Sequence, residues 1–254
     1  MTDERGPHTP GRFVWRELST TDVNAAKRFY GETLGWKFED SDMGNGMIYT
    51  LIYAGKKQVG GMFKAQPGMP TFWNPYLSVA DVDATAKLAT ANGAKIINGP
   101  MDIPNIGRMA TLVDPQGGCM SLYRDARGDM PWAMPHGGEF CWESLNTTDM
   151  EGSKKFYTTT VGWKAETTGA GAVFTTDAKE NNQMASFNPS PPNTPTSWLC
   201  HVLIDNREAA IERTKRMGGK VLMDKVDVSK MGHFAVLMDP TGGVFSVFQA
   251  TPMT

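Results

Sequence analysis

Residues 13–40 read FVWRELSTTDVNAAKRFYGETLGWKFED, and residues 140–167 read FCWESLNTTDMEGSKKFYTTTVGWKAET; aligned without gaps, 14 of the 28 positions are identical. A second pair, GRMATLVDPQGGCMS at 107–121 and GHFAVLMDPTGGVFS at 232–246, shares 8 of 15 positions in the same order. The offsets are 127 and 125 residues, so the 254-residue chain is a duplication whose halves differ by two residues in spacing. A duplicated chain builds the same supersecondary unit again, so reading that unit decides the fold.

The unit opens with FVWREL at 13–18, whose aromatic and β-branched content predicts a strand. Thr20, Thr21 and Asp22 bring N-cap chemistry, Ala26, Phe29, Tyr30 and Leu34 recur at helical spacing, and Gly35 stops the run, which predicts a helix over 23–34. Strands follow at 36–38, 47–53 and 58–63. The same series recurs at 76–79, helix 83–92, 95–97, 109–113 and 119–123. In the second half it reads 140–145, helix 149–160, 163–166, 172–176 and 183–187, then 198–204, helix 207–217, 220–223, 234–238 and 244–249. Four βαβββ units make an α+β fold. Each helix covers one face of its sheet and leaves the other bare, and two units together can enclose a cup lined by alternate strand residues. The expected domains are 11–125 and 139–250. Between them 126–138, ARGDMPWAMPHGG, is rich in Gly and Pro, has no period and reads as a linker.

Hydrophobic residues make up 40% of the chain and charged residues 20%, enough for packed cores and against disorder. A formal net charge of -2 supplies no general basic face for a nucleic-acid backbone, so no nucleic-acid partner is expected. No apolar run reaches the roughly 18 residues of a membrane span. The opening MTDERGPHTPG has charge and proline but no apolar stretch, unlike a secretory signal. Cys119, Cys141 and Cys200 are widely spaced, form no C-x-x-C pair and fall in predicted strands; reduced, buried thiols and a cytoplasmic location are expected.

The pattern T-T-D-x-x-x-x-x-x-F-Y-x-x-x-x-G-W occurs at 20–36 and 147–163, and D-P-x-G-G occurs at 114–118 and 239–243. Together they resemble the vicinal oxygen chelate superfamily of glyoxalases, bleomycin-resistance proteins and extradiol dioxygenases. The resemblance covers almost the whole chain and is similar to a group of bacterial tandem glyoxalase-like proteins, some labelled hydroxylases. It implies two glyoxalase-like domains with cup-shaped mixed sheets. It leaves function open, because the superfamily hosts lyases, isomerases, dioxygenases, thiol transferases and drug-sequestering proteins. Phe29 and Tyr30 read as helix-face core, and the D-P-x-G-G runs as tight turns.

The resemblance also implies a place for a divalent ion held by His, Gln or Glu on the cup floor. One ligand would sit seven residues before the capping Asp, at Trp15 and Trp142. Another, usually Glu, would sit seven residues after the Asp of the D-P turn, at Ser121 and Ser246. A third would lie at Asn74 or Tyr76, and at Leu199 or His201. Indole and neutral hydroxyl are poor donors for ions that want imidazole, carboxylate or thiolate. No metal and no other cofactor is therefore expected, although Glu17, on the face of Trp15 by strand alternation, leaves an unorthodox site open.

The candidate ligand surface is then aromatic and polar. Trp15 and Trp142 offer flat apolar faces or plug the space of an ion, and Trp73 and Trp198 stand near the opening strands of the following units. Asn74, Tyr76, Ser121, Ser144, His201 and Ser246 add polar groups, although a lone His on a strand, as His201 is, reads first as a satisfied core histidine. Arg108 and His233, each after a glycine at a strand start, could hold a carboxylate or phosphate at a cup mouth or form structural ion pairs. Glu17 is the sharpest catalytic candidate: beside indoles its carboxylate would be poorly solvated and its pKa raised, which suits acid–base work. The plainer alternative pairs it with a cation such as Arg108. Ser144 stands at its place in the second half, so the two cups are not equivalent.

Three functions stay open. The first is a metal-free small-molecule binder. The second is an enzyme, lyase-like or hydroxylase- or dioxygenase-like, using Glu17 or an atypical metal. The third is a protein-interaction role with filled cups. The missing ligands favour the first. Four units in one chain suffice for both cups, so monomer and homodimer both fit.

Overall fold

Each helix begins at a side chain that satisfies its own first turn. Asp22, Asp81, Asp149 and Asn206 sit in extended backbone and accept from the N–H three residues on, at 2.8–2.9 Å. These caps open α1 (Val23–Leu34), α2 (Val82–Ala91), α3 (Met150–Thr160) and α4 (Arg207–Arg216). The computed structural model describes residues 5–44, 46–169, 171–178 and 182–252; residues 1–4 of the opening stretch lie outside them.

Each helix belongs to one βαβββ unit. The strands are β1 (Phe13–Thr20), β2 (Lys37–Asp42), β3 (Ile48–Ala54) and β4 (Lys57–Lys64) in the first, and β5 (Phe72–Ser78), β6 (Lys95–Ile103), β7 (Gly107–Val113) and β8 (Cys119–Asp125) in the second. The third has β9 (Phe140–Thr147), β10 (Lys164–Thr168), β11 (Gly171–Thr175) and β12 (Gln183–Pro189), and the fourth β13 (Ser197–Leu203), β14 (Lys220–Val228), β15 (Gly232–Met238) and β16 (Val244–Ala250). Strand order is β2-β3-β4-β1-β5-β8-β7-β6 in one mixed sheet and β10-β11-β12-β9-β13-β16-β15-β14 in the other. In every unit the opening strand pairs in parallel with the last, and the remaining pairs are antiparallel. This is the α+β fold expected from the repeats.

Several strands run longer than expected, β6 and β14 by the most. β6 reaches Ile103 rather than 97, and β14 reaches Val228 rather than 223. Asn98, Gly99 and Pro100 read as a strand end because Pro has no N–H to give a ladder. The pairing of β6 with β7 absorbs them through register shifts between Ile96 and Asn98 and between Asn98 and Met101, and β14 shifts twice against β15.

The chain forms two compact units, each drawing on both repeats. Of the described residues, one unit contains 5–14, Asn74–Ala133 and Glu143–Trp198; the other contains Trp15–Trp73, Met134–Trp142 and 199–252. In the first, α2 and α3 pack between their sheets around Leu77, Leu112, Leu122, Phe156, Tyr157 and Phe174. In the second, α1 and α4 do the same around Leu18, Phe29, Tyr30, Cys200, Leu237 and Phe245.

The shared sequence signatures are wired together inside each core. Trp73 Nε1 donates to Tyr30 Oη (2.8 Å), and Tyr30 Oη donates to Asp239 Oδ2 (2.8 Å). Asp239 Oδ1 accepts from the N–H groups of Thr241 and Gly243. The other unit repeats the chain as Trp198 to Tyr157 (3.0 Å) to Asp114 (2.6 Å), with Gln116 and Gly118 donating to Asp114. Burial and then the adjacent carboxylate push both tyrosine hydroxyls well above their usual acidity range, so they remain donors. The last glycine of each D-P-x-G-G run makes room: a Cβ at Gly118 or Gly243 would lie 2.6 or 2.5 Å from the Asp carboxylate. The turns therefore do more than reverse the chain. Each ties a turn of one repeat to a helix of the other.

Candidate functional site

Strand alternation sorts the candidates into two faces. On β1, Leu18 enters the core under α1, so Trp15 and Glu17 lie on the face away from the helix. Both are half-buried. Tyr49 of β3 connects them: Trp15 Nε1 donates to Tyr49 Oη (3.0 Å), and Tyr49 Oη donates to Glu17 Oε2 (2.9 Å). Gly61, the partner of Glu17 on β4, permits this, because a Cβ there would overlap the Tyr49 hydroxyl. Sequence reasoning found Trp15 and Glu17 and missed Tyr49. The legible signal was Gly60–Gly61 inside a strand, since glycine in a strand interior marks a close approach.

The equivalent faces of the other units differ. On β5, β7 and β8, Asn74 Nδ2 donates to Ser121 Oγ (2.7 Å), and the Ser121 and Thr111 hydroxyls share a 2.8 Å bond. Tyr76 lies beside Ser121 in register and meets Tyr123 edge to face at 5.9 Å. Nearby, burial pushes the Cys119 thiol up to about 12, which leaves it protonated and unreactive. On β9 and β12, Ser144 pairs with Ser186, their hydroxyls 2.8 Å apart, while Trp142 is half-buried. On β13 and β16, His201 lies in register with Ser246 and meets the Phe234 ring at right angles, 5.0 Å between centroids. Burial lowers the His201 pKa to about 3, so the imidazole is neutral. Ser246 Oγ is fully buried with no hydrogen-bond partner among the described residues.

Four candidates lie on the helix side of their sheets instead. Trp73 and Trp198 are 3% and 6% exposed, in the cores, and their indole N–H groups are spent on Tyr30 and Tyr157. Arg108 alternates with the core residues Ala110 and Leu112. Its guanidinium grips Asp83 of α2 (2.5 and 2.8 Å) and Asp102 of β6 (2.9 Å). It is a structural clamp, and its described donors go to these carboxylates rather than to Glu17. His233 occupies the same place in the fourth unit, alternating with the core residues Ala235 and Leu237.

The residues at the positions where the family resemblance implies a divalent ion do not fit one. They are indoles at Trp15 and Trp142, a serine bonded to Asn74 and Thr111, and a neutral histidine beside a serine. Among the described residues no three His, Cys, Asp or Glu side chains converge to hold a metal ion. No helix among them is long and apolar enough to cross a membrane.

Comparison with known proteins agrees with this architecture. Residues 12–50 match the bleomycin resistance protein-like N-terminal family, and residues 142–248 match the glyoxalase-like domain family. The chain is 29% identical to CFP32 of Mycobacterium tuberculosis, a protein named as a glyoxylase, with 98% of each chain covered. It is 29% identical to the anthracycline biosynthesis protein DauV of Streptomyces sp., with 94% of each covered. The fold is also that of the 2,3-dioxygenase LapB from Pseudomonas sp. KL28, with a TM-score of 0.62 at 16% identity over 96% of this chain and 94% of that one. Repeats, strand order and family matches agree in supporting the vicinal oxygen chelate superfamily for this chain.

Proposed function

We propose that this protein binds a small molecule with a flat aromatic body and a hydrogen-bond donor, without a resident metal, on the Trp15–Tyr49–Glu17 face of β1 and β3. The hydroxyl relay between these three groups is the observation that carries the reading. It fixes a half-buried indole and a half-buried carboxylate relative to each other at a position where the superfamily would place a metal ligand. The indole supplies a stacking surface, and the Glu17 carboxylate, which already accepts from Tyr49, offers acceptor oxygens to a ligand that donates. Relatives named for anthracycline biosynthesis support a polycyclic ligand bearing hydroxyl groups. The three free cysteines support a reducing compartment, and 11–125 and 139–250 are read as the two glyoxalase-like repeats.

A hydroxyanthraquinone titrated against tryptophan fluorescence tests this. Glu17→Gln and Tyr49→Phe should each weaken binding about tenfold, the loss of one well-placed hydrogen bond. Unchanged affinity in both variants would remove the site. The Tyr49 hydrogen bond also favours a second reading, in which the held carboxylate acts as acid or base on the bound molecule. In that case Glu17→Gln retains part of the binding and loses turnover.

A further inference from the structure

The cleft between the β6–β7 turn and the end of β8 lies among groups that the reading above does not use. Its volume is about 380 Å³, within the lower range of small-molecule sites. Ile103, Pro104, Ile106 and Ala126 give it apolar walls, and Arg124 and His8 bring polar groups to it. The walls are braced by backbone. Ile106 N–H donates to Ile103 O (3.0 Å), closing a turn with Asn105 at φ 61, and Ala126 N–H donates to Ile106 O (2.9 Å).

Charge at the cleft is unevenly spent. Arg108 is held by Asp83 and Asp102, and the Asp125 carboxylate is held by Arg5, Tyr123 and Arg127. Arg124 pairs with Arg108 in the β7–β8 ladder, and its half-buried guanidinium has no hydrogen bond or ion pair with any described residue. His8 Nε2 is 2.7 Å from the Asp125 carbonyl oxygen, an acceptor, so Nε2 carries the proton. The second repeat is an internal control. There Gln249 stands at the place of Arg124, and its Oε1 accepts from Arg207 N–H (2.8 Å) at the first turn of α4. A guanidinium cannot accept, so arginine at that place leaves a cation at the cleft where glutamine serves the helix.

We propose that this cleft is a second binding site, for a small carboxylic acid with an apolar body, its carboxylate taken by the Arg124 fork and its body by the isoleucine and proline walls. The site does not rest on the aromatic face of β1. Benzoate and hexanoate titrated into the full chain by calorimetry test it. Saturation of either acid at a Kd of about 1 mM or tighter is expected, abolished in Arg124→Gln and weakened in Arg124→Lys, which keeps the charge and loses the fork. Circular dichroism confirms that both variants fold. Absence of binding of both acids to the unaltered chain overturns the proposal. So does equal affinity in the two variants and the unaltered chain.

Discussion

At the scale of single residues, Tyr30 and His201 show how much one buried polar group can decide. Tyr30→Phe removes the hydroxyl that joins Trp73 to Asp239 and leaves an indole N–H and a carboxylate oxygen unpaired. A loss of about 1–3 kcal/mol in urea unfolding is expected, and a loss below about 0.5 kcal/mol would deny the relay its role. His201 makes stability depend on pH. Unfolded, the imidazole takes a proton below about 6.5; folded, it does so only near about 3. Between those values the unfolded state binds the extra proton, so this contribution is complete above about pH 6.5 and is lost as pH falls, at up to about 1.4 kcal/mol per unit. His201→Phe should flatten the fall in urea midpoint between about pH 6.5 and 4 relative to the unaltered chain, and identical slopes would contradict the assignment. Sequence alone exposed Trp15 and Glu17 because a family position and a two-residue period pointed at them. Tyr49 was hidden because it reaches them from another strand. Trp73 and Trp198 were misplaced because proximity in sequence to an opening strand does not say which face a side chain takes.

At the scale of elements, the caps and turns were the most legible part of the chain. Thr-Thr-Asp ahead of a periodic apolar run announces a helix start by local chemistry alone, and Asp22 and Asp149 cap as that pattern predicts. Asp149→Ala should cost about 1 kcal/mol by chemical denaturation, while Asp149→Asn, which can still accept, should cost less. Equal losses would mean that the charge rather than the cap matters. The long edge strands β6 and β14 were less legible, since a bulge that tolerates Gly99 and Pro100 is set by the partner strand β7 and not by the residues themselves. The D-P-x-G-G turns read as chain reversals, which they are. Their second role, accepting from a tyrosine of the other repeat, depends on long-range packing that no local pattern encodes.

At the scale of the whole molecule, duplication in the sequence and compactness in space divide the chain differently, because each core takes helices from both repeats. Residues 1–133 alone would lack Tyr157, the buried partner of Asp114, and much of the apolar surface packed against α2. Each half expressed alone is expected to show no cooperative unfolding by circular dichroism, and the two halves mixed are expected to recover it; two independently cooperative halves would contradict this. The functional reading rests at this scale too, on a fold like that of the glyoxalase and dioxygenase relatives in which indole, serine and neutral histidine stand at the positions the resemblance implies for an ion. The most direct test is a hydroxyanthraquinone titration followed by tryptophan fluorescence, before and after exhaustive dialysis against a chelator. Saturable quenching with the same Kd in both samples is the expected result. Binding that disappears with the chelator and returns with a divalent ion would contradict the metal-free account.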